Sequence, residues 1–239
     1  MPEAVILSAV RTPIGRFQGT LAKFTAPALG AVAIKEAVAR SGVAPDQVGE
    51  VIMGNVLQGG LGQNPARQAA LAAGIPDTVS PFTVNKVCGS GMKCAMLGTQ
   101  AIKLGDEEVV VAGGMESMTN APYAIPKARD GLRLGNGELI DLMVHDGLWD
   151  AYNDYHMGNT GELIANELEV SREAQDEYAA ESHRRASAAH EAGEFDREIV
   201  GIEIKPRKSD PLEFKNDEGV RAGVTAESLG KLRPAFAQE

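Results

Sequence analysis

The first 118 residues alternate between two sequence patterns, and this alternation restricts the chain to few folds. Short runs rich in β-branched and other apolar residues predict buried strands. These runs are AVILSAV at 4–10, EVIMGNVLQ at 50–58, FTVNKV at 82–87 and EVVVAGG at 108–114. Helical patterns lie between them, at 27–42, 64–74 and 90–105. Strands that alternate with helices of this length predict a layered α/β fold with a largely parallel sheet.

A change of composition after Ser117 predicts a second region. The segment at 118–138 is rich in Pro, Gly and basic residues, which is typical of an excursion from the βα pattern. We therefore predict two domains, at 1–118 and 119–239.

Within the second domain we expect three further elements. A helical pattern lies near 138–145, and Ser171 is the predicted N-cap of a long polar helix. One strand-like run, EIVGIEI, follows at 198–204.

Composition and charge argue against several classes of function. The formal net charge of −10 disfavours non-specific binding to nucleic acid or to an anionic membrane. No apolar stretch approaches the roughly 20 residues that a membrane span needs. The opening residues show neither a basic segment nor a cleavage signal. We expect a cytoplasmic protein with no nucleic-acid or membrane partner.

One basic segment runs against this acidic average. Its cations are Lys205, Arg207, Lys208, Arg221, Lys231 and Arg233. They could form a solvated basic surface or a shallow site for a phosphorylated ligand, and the residues alone leave both interpretations open.

The histidines and cysteines follow no metal-binding pattern. The four histidines are His145, His156, His183 and His190, and their spacing is not supported by cysteine or carboxylate ligands. His183 and His190 lie seven residues apart on the predicted polar helix, so we expect both to be solvated surface side chains. Two cysteines in one segment cannot build a disulfide framework. We expect no metal site.

Cys88 is the candidate for chemistry. It stands in VNKVCGSGMKCAMLG, where a predicted strand ends and a predicted helix begins. The GSG that follows allows a tight turn whose N–H groups can point at a bound atom. A helix N-terminus stabilises the thiolate, which is the reactive form. The Cys88 N–H could also face the oxygen of an attached acyl group. A buried, inert thiol is the alternative, and the geometry does not decide between them.

Cys94 is predicted to be structural. Small side chains recur along its helix at steps of three and four residues: Gly91, Cys94, Ala95, Gly98, Ala101 and Gly105. Such a stripe lets another backbone approach closely, and we expect it to form an exposed groove that another chain covers. A helical separation of six residues carries Cys94 away from Cys88, so we do not expect a disulfide.

The sequence resembles the thiolase family, and within it the acetyl-CoA C-acetyltransferases. The resemblance rests on NKVCGSGMK and VVVAGGMESMTNAPY, and it extends over nearly the whole chain. Further matching segments are AVRTPIGRFQGTL, MGNVLQGGLGQNPARQAAL, DGLWDAYNDYHMG, SREAQDEYAAESHRRA and LGKLRPAF.

The resemblance implies a fold and a set of roles. The expected fold is a layered α/β/α N-terminal domain with a mixed, largely parallel sheet, plus an inserted loop domain that binds CoA. Cys88 matches the family's acylated nucleophile, which takes the acyl group from acetyl-CoA or a 3-ketoacyl-CoA. Residues at positions matching CoA or acyl contacts are Leu148, His156, Met157, Arg221, Ser228 and Phe236. No cofactor is implied beyond the CoA thioester substrates, and a homo-oligomer is expected.

The chain also departs from the family pattern. Complete thiolases carry a Gly-His-Pro histidine, a second cysteine in Cys-x-Gly and an Asn-Glu-Ala-Phe stretch, and this sequence contains none of them. Cys94 cannot replace that cysteine because it lies on the nucleophile's own helix. NTGELIA also differs at Gly161, where relatives have Ala-Glu-Asn after the threonine.

Two hypotheses from different classes follow. The first is an acyltransferase of which this is the N-terminal portion, with little activity expected from the chain alone. The second is a short non-catalytic module that binds CoA or complements a separate C-terminal half. The related ketoacyl synthases share the strand-to-helix cysteine, but the CoA-type segments argue against a carrier-protein substrate.

Overall fold

A computed structural model describes residues 3–205 and 210–236. Its centre is a parallel sheet of three strands: β1 (Glu50–Gly54), β2 (Phe82–Val84) and β3 (Val110–Gly114). The spatial order is β2-β1-β3, with Ile52 opposite both Phe82 and Ala112. The three strands coincide with three of the predicted runs, although each is shorter than its run.

Three helices cover this sheet: α1 (Ala26–Ser41), α2 (Pro65–Ala72) and α3 (Ser90–Leu104). Each lies where the sequence pattern predicted a helix. Thr25 caps α1 by accepting a hydrogen bond from the Ala28 N–H at 3.4 Å, and Gly42 ends it with a φ of 74°. That left-handed ending is one that glycine adopts without steric cost.

The side chains of the sheet separate into two layers. Because successive strand residues face opposite sides, Val51 and Met53 point towards α1 and α2, whereas Gly54 contacts α3. The core on the α1 and α2 side also contains Ile34, Val38, Ala66, Ala69, Ala70, Ile75 and Val79. Helix α3 packs on the other face, so the layered α/β/α prediction is confirmed.

The strand predicted at 4–10 is absent from the structure. Residues 3–10 form no ladder with a neighbour, and Val5, Ile6 and Leu7 are exposed. A cleft of about 490 Å³ lies between this segment, α1, α3 and the free edge of β3. The sequence pattern identified a segment suited to a strand, but a strand also needs a partner within hydrogen-bonding distance.

The described part of the chain after 118 combines one helix of 20 residues with shorter helices and strands of two or three residues. Its helices are α4 (Leu142–Gly147), α5 (Met157–Glu167), α6 (Arg172–Glu191) and α7 (Ala226–Gly230). Its antiparallel pairs are β4 (Tyr123–Ala124) with β5 (Ile140–Asp141), β6 (Trp149–Asp150) with β7 (Tyr155–His156), and β8 (Ile202–Ile204) with β9 (Leu212–Phe214). Ser171 caps α6 through the Ala174 N–H at 3.2 Å, as the sequence predicts.

This second region contains little core of its own. From 118 onwards, Ile202 and Leu229 are the buried apolar side chains in the part of the chain that the structure describes. The boundary at 118 stays a prediction. None of the helices within residues 3–205 and 210–236 is long and apolar enough to cross a membrane.

Candidate active site

Cys88 lies on a tight turn between the end of β2 and the start of α3. Its side chain is exposed, and the residue before it, Val87, has a φ of 47°. A β-branched residue rarely adopts this left-handed conformation, because its Cβ crowds the following carbonyl. The turn therefore presents the thiol at the carboxyl end of a parallel strand from a strained backbone.

Side chains on both sides hold the turn closed. The Val87 N–H donates to Asn85 Oδ1 at 3.0 Å, and the Lys86 N–H donates to Ser90 Oγ at 2.8 Å. The Ser90 hydroxyl in turn donates to the Val87 carbonyl at 2.6 Å. Both peptide groups of Val87 are thus bonded to neighbouring side chains.

Cys94 lies in a different environment on the same helix. It is fully buried, and neither cysteine forms a disulfide. Burial raises the pKa of the Cys94 thiol, since the thiolate would lose its hydration, and a backbone hydrogen bond offsets only part of this rise. The prediction that Cys94 is structural agrees with this placement.

Gly91, Cys94 and Gly98 of the stripe pack against the sheet, whereas Ala95 and Gly105 are exposed. The expectation of one exposed groove along the whole stripe is therefore wrong. A Cβ on Gly98 would lie 3.0 Å from Val110 Cγ1, and one on Gly91 would lie 3.7 Å from Gly114. Glycine here lets α3 approach the strands of its own chain. The exposed large apolar side chains of this helix are Met92, Met96 and Leu104.

A carboxylate joins the loops that leave β1 and β3. Glu116 accepts hydrogen bonds from Asn55 Nδ2 at 2.7 Å and from the N–H groups of Val56 at 2.9 Å and Leu57 at 3.1 Å. Carboxyl ends of parallel strands meet at one edge of a sheet, and Cys88 lies at that same edge. Sequence reasoning missed Glu116, although a carboxylate two residues after a strand that ends in GG was a usable signal.

Four of the residues expected to contact CoA come together in the structure. Leu148 accepts a hydrogen bond from the Met157 N–H at 2.8 Å, and β6 pairs with β7 between them. The rings of His156 and Phe236 stack with centroids 4.9 Å apart. Because Nδ1 of His156 accepts the Gly158 N–H at 3.0 Å, the neutral ring carries its proton on Nε2.

The other two residues lie on the segment that packs against α6. Ser228 belongs to a capping box with Thr225: its hydroxyl accepts the Thr225 N–H at 3.1 Å and donates to the Thr225 carbonyl at 2.8 Å. Arg221 is exposed, and its N–H donates to His183 Nδ1 at 3.3 Å. A cleft of about 280 Å³ lies between α6 and residues 222–224, and Arg221 is not among the residues that line it.

The segment before Arg221 is tied to the beginning of the chain. Arg11 makes two hydrogen bonds to Asp217, at 2.7 and 3.0 Å, and a third to Glu198 at 2.6 Å. Burial favours the neutral acid, yet hydrogen bonds from Arg11 and Ile14 and the positive charge of Arg11 outweigh it, so the pKa of Asp217 is lowered. This pairing positions the segment that carries Arg221.

His190 is part of this cluster, so its prediction as a solvated residue is wrong. Its Nε2 lies 3.2 Å from Asp217 Oδ2. Its ring packs edge-on against the Phe195 ring, with the two centroids 4.8 Å apart. The polar sequence of α6 hid this contact because the partners come from residues 195–217.

Two cations of the basic segment pair with carboxylates close to them in sequence. Lys205 pairs with Glu203 at 3.0 Å and Lys231 with Glu227 at 2.8 Å, whereas Arg207 and Lys208 lie outside the described residues. Residues 3–205 and 210–236 also hold no group of three or more His, Cys, Asp or Glu side chains suited to a metal ion.

Sequence and structure comparisons identify the family. The sequence model described as "Thiolase, N-terminal domain" matches residues 4–239. The chain belongs to the thiolase family. Among thiolases, the acetyl-CoA acetyltransferase of Cupriavidus necator is 57% identical over 236 residues, which cover 99% of this chain and 60% of that protein. That of Escherichia coli is 53% identical over 237 residues, with 99% and 60% coverage.

A solved thiolase structure has the same fold. The crystal structure of the Bacillus anthracis acetyl-CoA acetyltransferase matches with a TM-score of 0.94 and 46% identity. The match covers 99% of the present chain and 60% of the Bacillus anthracis chain. The present chain thus spans about 60% of the length of the thiolases that it matches.

Proposed function

We propose that the protein carrying this chain transfers acetyl groups between CoA thioesters through Cys88. In one direction it would condense two acetyl-CoA molecules to acetoacetyl-CoA, and in the other it would cleave a 3-ketoacyl-CoA by thiolysis. The observation that supports this most is the exposed thiol on the turn at 85–90, in a chain of the thiolase family.

The first half-reaction would use residues of this chain. The Cys88 thiolate attacks the thioester carbonyl, a new C–S bond forms, and the bond to the CoA sulfur breaks. The departing CoA thiolate takes up the proton that Cys88 released, so the products are acetyl-Cys88 and CoA. Splitting the reaction in this way keeps an activated acetyl group in place for the second substrate.

The second half-reaction needs groups that the chain does not supply. A carbanion must form on the second acetyl-CoA by loss of an α-proton, then attack acetyl-Cys88 and expel its sulfur. The resemblance assigns that proton transfer to a second cysteine and the activation of Cys88 to a Gly-His-Pro histidine, and neither motif occurs in this sequence. We propose that they belong to the remaining part of the complete protein.

The substrate would be held by the region after residue 118. The stacked His156 and Phe236 rings, together with Leu148 and Met157, offer an apolar surface for the pantetheine and acyl part. Arg221 would meet the charged nucleotide end, because the residue is exposed and a guanidinium can bind phosphate groups through two hydrogen bonds. Ser228 would act by fixing α7. No cofactor beyond the CoA thioesters is needed for this chemistry, and a cytoplasmic homo-oligomer stays a prediction.

A complementing or CoA-binding module is the second candidate. The observation that supports it is the clustering of Leu148, His156, Met157 and Phe236, because binding CoA through these residues needs no acid or base group. Reading the gene beyond codon 239 separates the two: a continuous frame with Gly-His-Pro supports the enzyme, and a stop codon supports the module.

Isotope exchange tests the proposed half-reaction. Labelled CoA and unlabelled acetyl-CoA are incubated with the full-length protein, and the initial rate of label exchange is compared with the rate at which acetoacetyl-CoA forms. We expect label to enter acetyl-CoA, and Cys88→Ala to abolish this exchange. Label exchange that persists in Cys88→Ala would contradict an acetyl-Cys88 intermediate. So would a wild-type protein that forms acetoacetyl-CoA without any exchange of label.

A further inference from the structure

Val87 is the most strained residue beside the candidate nucleophile. Its φ of 47° is unfavourable for a β-branched side chain, and about half of that side chain is exposed, so burial does not compensate. Since Cys88 follows directly, the φ and ψ of Val87 set the direction in which the Cys88 side chain leaves the turn. Something in the surrounding structure must maintain this conformation.

Ser90 is placed to do so. The residue is buried and retains 5% of its accessible surface. Its hydroxyl acts both as a hydrogen-bond donor and as an acceptor. It accepts the Lys86 N–H at 2.8 Å and donates to the Val87 carbonyl at 2.6 Å. One hydroxyl thus spans the turn: it bonds the Asn85–Lys86 peptide group, which precedes Val87 by one residue, and the Val87–Cys88 peptide group, which directly follows the Val87 α-carbon.

The sheet in turn immobilises Ser90. A Cβ on Gly54, the last residue of β1, would lie 2.7 Å from Ser90 Cβ and 2.7 Å from its carbonyl carbon. The missing side chain at Gly54 therefore lets Ser90 seat directly on the end of the strand. This contact transmits the rigidity of the central sheet to the turn.

We infer that Ser90 is a positioning residue for Cys88, with its hydroxyl holding Val87 in the left-handed conformation that aims the thiol. The inference rests on the proposed role of Cys88 as acyl acceptor. Ser90 itself does not touch the reacting atoms; it acts through the backbone of Val87.

A double-mutant cycle in the full-length protein tests this. Glycine adopts a φ near 47° without steric cost, so Val87→Gly removes the strain that Ser90 is inferred to hold. We expect Ser90→Ala to slow acetylation of Cys88 by acetyl-CoA about 10- to 100-fold, with KM changed less than about 3-fold. Val87→Gly in the same chain should recover most of that loss. Ser80→Ala, on an exposed loop serine, is the matched control and should leave the rate unchanged.

The outcomes separate positioning from a general structural role. The inference would be overturned if the double variant Ser90→Ala/Val87→Gly lost as much acetylation rate as the product of the two single losses. A Ser90→Ala acetylation rate within 2-fold of wild type would also overturn it. If Ser90→Ala does not fold, the double variant is compared with Val87→Gly alone. Rates within about 3-fold then support positioning, and a further loss of 10-fold or more overturns it.

A second readout does not depend on the reaction. Hydrogen exchange of the Lys86 amide should accelerate at least about 10-fold in Ser90→Ala and stay unchanged in Ser80→Ala, because only the former loses the acceptor. Unchanged exchange in Ser90→Ala would overturn the inference. An absence of acetylation in the wild type would instead overturn the proposed function, whatever the Lys86 amide shows.

Discussion

Cys88 and Cys94 stand six residues apart, yet the structure gives them opposite environments. Cys88 is exposed on a turn that Asn85 and Ser90 hold in a strained conformation. Cys94 is fully buried between α3 and the sheet, where glycines let the helix approach closely. The difference shows that the turn makes a thiol available for chemistry, whereas the helix that follows uses its thiol as a small apolar side chain.

The largest expected effect comes from removing the two thiols one at a time and comparing the loss of activity. Cys88→Ala should lower acetyl transfer by the full-length protein at least about 10³-fold, because no acyl acceptor remains. Cys94→Ala should keep kcat within about 3-fold, since its side chain only fills space. Steady-state turnover of acetoacetyl-CoA and CoA measures both. A comparable loss in the two variants would remove the functional distinction between the cysteines.

Alkylation compares the two thiols without substrate. In folded protein at pH 8, iodoacetamide should modify Cys88 and leave Cys94 unmodified, with rates that differ more than about 10³-fold. Cys94 is protected because it reacts only after α3 opens, and because burial raises its pKa. Peptide mapping over time measures the two rates, and unfolded protein should show similar rates for both. Rapid modification of Cys94 in folded protein would mean that α3 does not pack as described.

Glycine substitutions test the packing that buries Cys94. Gly98→Val should lower the free energy of unfolding by about 1–3 kcal/mol, because its side chain would collide with Val110. Gly161→Ala is the matched control: a Cβ there meets no atom within 4 Å, so helix α5 should gain about 0.5–1 kcal/mol. Urea unfolding monitored by circular dichroism gives both values. A tolerated Gly98→Val would contradict the close approach of α3 to the sheet.

The smallest expected effect is the pH dependence that Cys94 contributes. Burial raises its pKa above the ordinary value of 9.0, so the folded state retains a proton that the unfolded state releases at high pH. Its contribution to stability is therefore complete below about pH 9 and declines above it, by up to about 1.4 kcal/mol per pH unit. Stability measured from pH 8 to 10.5 should decline less steeply in Cys94→Ala than in wild type. Equal slopes would show that Cys94 ionises as readily in the folded protein.

The sequence predicted the parts of the fold that depend on local pattern. The three helices and three strands of the central layers follow from apolar periodicity and from end signals such as Thr25 and Gly42. The prediction of a strand at 4–10 was wrong because a strand also needs a neighbouring strand to pair with, and no local pattern reveals that neighbour. The small residues on α3 were identified from the sequence, but the surface that they contact was not. Their spacing does not indicate which backbone packs against them.

The candidate site was predictable to a smaller extent. Cys88 could be singled out from the strand–turn–helix pattern, but its role came from the resemblance. The left-handed Val87 was not predictable, because valine ordinarily favours extended backbone and only the hydrogen bonds of Ser90 and Asn85 explain the exception. Leu148, His156 and Phe236 came from the resemblance alone, since contacts between residues so far apart in sequence leave no local signal.

The most direct test of the account is the mass of the protein after incubation with acetoacetyl-CoA, with peptide mapping to locate any adduct. The 239-residue chain, the full-length protein and Cys88→Ala of each are compared. The account predicts one acetyl group on Cys88 of the full-length protein, none on Cys94, and none in Cys88→Ala. An adduct in the short chain would show that the turn suffices for the first step. Acetyl on Cys94, or an adduct that survives Cys88→Ala, would contradict the account.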